Sequence, residues 1–275
     1  MSRTALLALL LAACSAPASN ELSNAANPQP GASRAIDLPD RLREVSGLAV
    51  ASATSVFAHD DEHARVSEID LASGRALRSF AFGSADATGD FEGIAASGDR
   101  IHVITSDGQL SSFDAGADGA TVPVQVNDTG VGGRCEIEGL SLSPRPGELL
   151  ILCKDITGRG NGGRLLVFRW NIAANRLEPQ PWLDVDLSAE LGVDRRGFAP
   201  SSIDWDARTQ RVAIISARNR IMMLLDANGG RVEWRRLDAE RHPQAEGVAI
   251  MPSGEIIVAD EGGDGRAGRL TIYPR

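Results

Sequence analysis

Asp90-Phe91-Glu92-Gly93-Ile94-Ala95 is the stretch on which the fold turns, because the chain repeats it. It returns as Glu136-Ile137-Glu138-Gly139-Leu140-Ser141 and as Gln244-Ala245-Glu246-Gly247-Val248-Ala249. An earlier copy reads Glu44-Val45-Ser46-Gly47-Leu48-Ala49, and a degenerate one Ala199-Pro200-Ser201-Ser202-Ile203-Asp204. Most neighbouring copies lie about 45 residues apart, the spacing of propeller blades.

Each copy opens a unit of similar layout. A turn such as Pro252-Ser253-Gly254 follows the motif strand. A second apolar strand comes next: 55–58, 100–105, 148–152, 211–216 and 255–259. A polar turn leads to a third strand at 66–71, 109–113, 164–170, 221–225 and 269–273, and most units show a fourth, as at 76–82 and 231–237. Short strands at even spacing with Gly, Asp and Ser between them read as antiparallel four-stranded sheets. The last unit stops after three strands. Residues 34–38 supply the missing outer one, which protects an otherwise open edge. The expected fold is all-β: a five-bladed β-propeller whose N-terminal strand closes the last blade. Extra length between the third and fourth motifs falls at Thr157–Gly163 and at Ser188–Phe198, where a helical turn is expected; a sixth blade would need more.

The N-terminus reads as an export signal. Arg3, the apolar run Leu6–Leu11 and the small pair Ala12-Ala13 precede Cys14. The run is shorter than the ~20 residues that span a bilayer. Leu11-Ala12-Ala13-Cys14 is similar to a bacterial lipobox. That likeness implies a signal peptide over 1–13, acylation of Cys14 and a lipid-anchored protein. Ser15, rather than Asp, points to the outer membrane. Residues 14–33 are a flexible tether, too polar to bury a core, and 34–275 form the propeller.

The formal charge is −9, and Lys154 is the only lysine. An acidic chain without a basic run excludes nucleic acid as a partner. The expected partners are the membrane, through Cys14, and a protein or small-molecule ligand. A monomer is expected. Cys135 and Cys153 flank a hairpin in an oxidising compartment. A disulfide is expected, two buried thiols being the other reading.

In a propeller, the motif strand lines the central channel. The pre-glycine residues Ser46, Glu92, Glu138, Ser201 and Glu246 should therefore meet at one mouth. Glu44, Asp90, Glu136 and Gln244, with Ala199 in the degenerate copy, stand two residues earlier. They should form a second polar ring on the same strand face. Three glutamates in a narrow channel either take up protons or bind a cation. Oxygen-only donors suit Ca²⁺, and no His or Cys accompanies the motif to favour zinc or copper. Hydrated acids bonded to backbone amides are the metal-free alternative. His59-Asp60-Asp61-Glu62-His63 reads as a solvated turn. Asp60, Asp155, Asp260 and Glu261 recur at one blade turn; a polar ring on one face is one reading, and the other is that blade turns are usually acidic for solubility alone. Trp170, Trp182, Trp205 and Trp234 read as blade packing.

With these motifs in view, the chain resembles the SdiA-regulated family of bacterial envelope proteins. The likeness rests on Glu92-Gly93, Glu138-Gly139, Glu246-Gly247, Glu44-Val45-Ser46-Gly47-Leu48 and the run from Gln244 through Pro252-Ser253-Gly254-Glu255-Ile256. It covers about residue 40 to the C-terminus. It implies a five-bladed propeller, distantly similar to NHL-repeat propellers, with calcium in the central region. Ser201 and Ser202 replace the carboxylate and glycine in the fourth motif, so the ligand ring is incomplete there. Two functions remain: a calcium-binding propeller serving as a binding or scaffolding module on the envelope, or a metal-dependent hydrolase similar to lactonase propellers or esterase-like phytases. No Gly-x-Ser-x-Gly elbow is present, and neither His nor Lys is expected near the motif. Arg134, Arg195 and Arg196 are the rim cations. These absences favour binding over catalysis.

Overall fold

The computed structural model describes residues 33–156, 163–191, 197–230 and 232–274. The signal, Cys14 and most of the tether lie outside the described residues, as do Arg195, Arg196 and most of the Gly-rich loop.

Five small sheets make the five expected blades. From the channel outward, blade 1 is Val45–Val50, Ser55–Asp60, Arg65–Asp70 and Ala76–Phe82. Blade 2 is Phe91–Ser97, Arg100–Thr105, Gln109–Asp114 and Gln125–Asp128. Blade 3 is Cys135–Leu142, Glu148–Ile156 and Arg164–Asn171, with two short outer strands, Arg176–Leu177 and Leu183–Asp186, sharing the fourth place. Blade 4 is Ser202–Asp206, Arg211–Ser216, Ile221–Asp226 and Val232–Arg236. Blade 5 is Ala245–Ile250, Ile256–Asp260 and Arg269–Tyr273, completed by Arg34–Asp37.

That last strand pairs antiparallel with Arg269–Tyr273, Arg34 opposite Ile272 and Asp37 opposite Arg269. Part of the surplus before blade 4 becomes the short helix Ser188–Leu191. One feature is absent from the sequence reading. Thr121–Val122, on the way to the outer strand of blade 2, pairs in parallel with Ala81 and Phe82 of blade 1. It covers that blade's open edge.

The core lies between blades rather than at one centre. Each of five apolar clusters joins two neighbouring blades. Val56 and Leu48 of blade 1 pack with Ile257 and Leu270 of blade 5. Phe57 and Phe80 of blade 1 meet Ile94 and Phe113 of blade 2. The remaining three joints repeat the pattern around the ring. This explains why second strands such as Leu149–Cys153 read as unbroken apolar runs: both faces are covered. The four Trp side chains pack at the joints, as expected, Trp170 in the cluster between blades 2 and 3 and the others against the next.

The motif glycines let the inner strands close the ring. A Cβ on Gly93 would stand 2.5 Å from Leu140 N of blade 3. A Cβ on Gly247 would stand 3.0 Å from Leu48 of blade 1. Inner strands this close have no room for a side chain that faces the neighbouring blade.

Candidate functional site

The inner strands bring the motif residues to one mouth, and a backbone irregularity aims them. In blades 1, 2, 3 and 5 the ladder slips by one residue between Val45 and Gly47, Phe91 and Gly93, Ile137 and Gly139, and Ala245 and Gly247. Ser46, Glu92, Glu138 and Glu246 are therefore the extra residues of four β-bulges. A bulge takes its residue out of the ladder and re-aims the side chain. Blade 4, which has lost the carboxylate and glycine, has no such slip between Ser202 and Asp206.

The three glutamates feel one another. Burial, the largest cause, pushes the Glu92 carboxyl up to about 8, and the charges of Glu138 and Asp90 add to it. Burial likewise pushes Glu246 up to about 8, against the pull of Lys154. Glu138 rises to about 7, because burial outweighs a hydrogen bond from Lys154. The Ser46 hydroxyl donates to Glu92 Oε2 at 3.4 Å.

Lys154 corrects the expectation that no lysine stands near the motif. Its Nζ donates to Glu138 Oε1 at 2.5 Å and lies 3.5 Å from Glu136 Oε1. Burial works against the ammonium, but Glu138 and Glu136 overcome it and raise its pKa. The expected disulfide, Cys135–Cys153, joins the two strands immediately before Glu136 and Lys154. Glu138 is only 6% exposed, and its second oxygen, Oε2, is buried with no hydrogen-bond partner among the described residues.

Ser201 reaches the same end of the channel but turns its hydroxyl to structure. It donates to the Ala245 carbonyl at 2.6 Å and accepts from Ala217 N at 3.2 Å, tying blade 4 to blade 5. Glu44, Asp90, Glu136 and Gln244, two residues before the pre-glycine positions, are all exposed. The bulge breaks the period of two that would have stacked them on the glutamates. Asp90 accepts from Ser106, and Gln244 donates to Glu261. Asp61 and Glu261 are both pushed up, first by burial and then by neighbouring acids, Glu44 among them.

The turn residues behave differently from expectation. His59 is fully buried and Asp60 nearly so, which corrects the solvated-turn reading for these two residues, while Glu62 and His63 are exposed. His59 lies over Gly47, where a Cβ would meet its Nε2 at 2.4 Å, so the glycine makes space for the imidazole. Its Nδ1 bonds the Asp60 carbonyl at 2.8 Å. Asp60 accepts from the backbone of Glu62 and His63 and from the His63 ring. Asp260 is 2% exposed and bonds His242 Nδ1 at 2.7 Å, while Tyr273 closes the group on Nε2. Solubility does not explain these two acids. Asp155, at the corresponding turn of blade 3, is exposed. Arg134 is exposed with its guanidinium 5.1 Å from the Phe168 ring centroid, away from the glutamate cluster's hydrogen bonds.

Calcium, which the family resemblance implies, matches the mouth in donor type and charge. Three carboxylates against one ammonium leave about two negative charges for a divalent ion, and Glu138 Oε2 lacks a partner. The spacing is not that of a closed cage. Among the described residues, no three acids, histidines or cysteines stand close enough to hold a metal as they lie. Closure on an ion requires side-chain rotation.

No protein-family model matches the chain, and no curated protein matches it by sequence. Solved structures do. A glutaminyl cyclase from Myxococcus xanthus aligns over 87% of this chain and 94% of its own, at 16% identity and a TM-score of 0.57. A nidogen/laminin complex aligns over 78% of this chain and 72% of its own, at 16% identity and a TM-score of 0.48. Hydrazine synthase of Kuenenia stuttgartiensis covers 86% and 97%, at 11% identity and a TM-score of 0.47. The chain is a five-bladed β-propeller. At such identities the likeness concerns fold alone, since propellers carry unrelated functions.

Proposed function

We propose that this propeller is a binding module of the bacterial envelope, of the SdiA-regulated type, whose acidic mouth takes a divalent cation, calcium first. One observation carries the reading. Glu92, Glu138 and Glu246 are gathered on bulges with a single ammonium among them, and Glu138 Oε2 is buried without a partner. A buried oxygen left unpaired costs roughly 1–3 kcal/mol, a cost that a bound cation removes. Glu92, Glu246 and the free oxygen of Glu138 are the donors, with Ser46 as a neutral neighbour. Lys154 stays on Glu138 and limits the charge that an ion must balance. Anchoring through Cys14 belongs to the same reading.

Chelator-treated protein titrated with Ca²⁺ in a calorimeter tests it. The expected result is one ion per chain and a raised Tm, both lost in the double variant Glu92→Gln/Glu246→Gln. Absence of heat and of any Tm shift in the wild type would leave protonated glutamates and remove the metal. Palmitate labelling that disappears in Cys14→Ala tests the anchor.

Lys154 also favours a second reading, a metal-dependent hydrolase, because it supplies the basic group beside the carboxylates that such chemistry needs. Hydrolysis of lactones or phosphomonoesters by calcium-loaded protein, lost in Lys154→Met, would select it.

A further inference from the structure

The far end of the channel is chemically opposite to the acidic mouth. A bowl of about 460 Å³ opens there, and each blade contributes the end of its inner strand: Val50, Ala96, Leu142, Trp205 and Ile250. Ala49, Ala95 and Ala96 line the side of blades 1 and 2, and their short side chains leave the room that the bowl occupies.

One wall is polar. Asp204 accepts from Ser141 Oγ of blade 3 at 2.9 Å, from Trp205 N at 2.9 Å and from Ile250 N of blade 5 at 2.7 Å. A carboxylate has about four acceptor positions, so one remains. Burial, the larger cause, pushes this carboxyl up to about 6, against the three hydrogen bonds. Two further charged residues, Asp206 and the exposed Arg208, line the bowl. Asp206 accepts from Arg208 N and Thr209 Oγ1 of its own turn, and the Arg208 guanidinium lies against Gly254.

We infer that this bowl is a second binding site, for a small and mainly apolar molecule that carries one hydrogen-bond donor, such as an aromatic amine or alcohol. The volume lies within the ~300–1,000 Å³ of small-molecule sites. A rounded bowl of that size is roughly 10 Å across, too tight for a helix with its side chains. The aliphatic walls take the apolar body, and Asp204 takes the donor. The two carboxylates Asp204 and Asp206 outnumber the one cation of the lining, Arg208, and so disfavour an anion. The site does not depend on the cation reading, because its residues lie at the other end of the inner strands.

The test uses the full chain and N-phenyl-1-naphthylamine, an uncharged aromatic body with one N–H. Saturable probe fluorescence at one molecule per chain is expected. Ala207→Trp, in the exposed turn at the rim, should weaken binding at least ~tenfold with Tm and far-UV spectrum unchanged. Anilinonaphthalene sulfonate, a similar body with an anion, should bind at least ~tenfold more weakly. Glu92→Gln/Glu246→Gln should bind the amine probe as the wild type does. No saturable binding, equal binding in Ala207→Trp, or sulfonate binding as tight as the amine would each overturn the proposal.

Discussion

Lys154 Nζ lies 2.5 Å from Glu138 Oε1, so the only lysine of the chain is held by the bulge glutamate of blade 3. The pair is partly buried, with side-chain exposures of 26% and 7%. It sets the charge of the whole mouth, because the same ammonium lowers the carboxyl pKa of Glu92 and Glu246.

Removing the ammonium exposes that dependence. Lys154→Met should cost about 1.5–3 kcal/mol at pH 8, the range for a hydrogen bond to a charged group. The loss should shrink near pH 5, where the glutamates are protonated and need no counter-charge. Urea melts at the two pH values measure it, and an equal loss at both would mean that the lysine acts through packing alone.

The pH dependence of the metal-free protein has a defined sign. Glu92 and Glu246 are pushed up to about 8 and Glu138 to about 7, from an ordinary 4.5. The folded state thus binds more protons than the unfolded one between those values. Their contribution to stability is complete below about pH 4.5 and is lost as pH rises through 7 to 8. Tm in chelator should fall across that window. Glu92→Gln/Glu246→Gln should flatten the fall, and saturating Ca²⁺ should do the same in the wild type. A slope identical in wild type and variant would place its origin elsewhere.

Cys135 and Cys153 close a separation of 18 residues. A loop near that length is worth about 3 kcal/mol in the chain-entropy account. Cys135→Ala/Cys153→Ala should lose roughly that much in denaturant melts. Because Lys154 and Glu136 follow the two half-cystines directly, the variant should also bind Ca²⁺ more weakly. Unchanged affinity would separate the cross-link from the site.

Gly93→Ala should be among the most damaging small substitutions in the domain. Its Cβ would meet the backbone of Gly139 and Leu140 at 2.5–2.9 Å, and backbone of another blade cannot step aside. A cost of about 3 kcal/mol, the upper range for overpacking, is expected. Gly133→Ala is the control, since nothing lies within 4 Å of its Cβ. Comparable melting of the two variants would contradict close inter-blade contact at Gly93.

Much of the architecture was legible because it rests on short-range pattern. The copies around Gly47, Gly93, Gly139 and Gly247 announce the blades, and the missing fourth strand at the C-terminus announces the closure by Arg34–Asp37. The disulfide followed from two cysteines across a hairpin. The site was legible only in part. Glu92, Glu138 and Glu246 were found, but Glu44, Asp90, Glu136 and Gln244 were placed on the same face by a period of two that the bulges interrupt. Lys154 was missed although a signal existed. It follows Cys153, and the disulfide pins that strand beside Glu136 and Glu138.

The sequence by itself determined the number of blades, the three inner strands of each, the closure and the identity of the converging acids. Turns and apolar alternation are local, and a repeat multiplies a local signal. Tertiary structure alone decided which acids are buried, where each carboxylate aims and which cation neutralises them. It also decided that His59, Asp60 and Asp260 go inside and that the far mouth opens as an apolar bowl. These depend on cross-strand register and on the distance between blades. A one-residue slip in register, invisible in the amino-acid order, redirects a side chain completely.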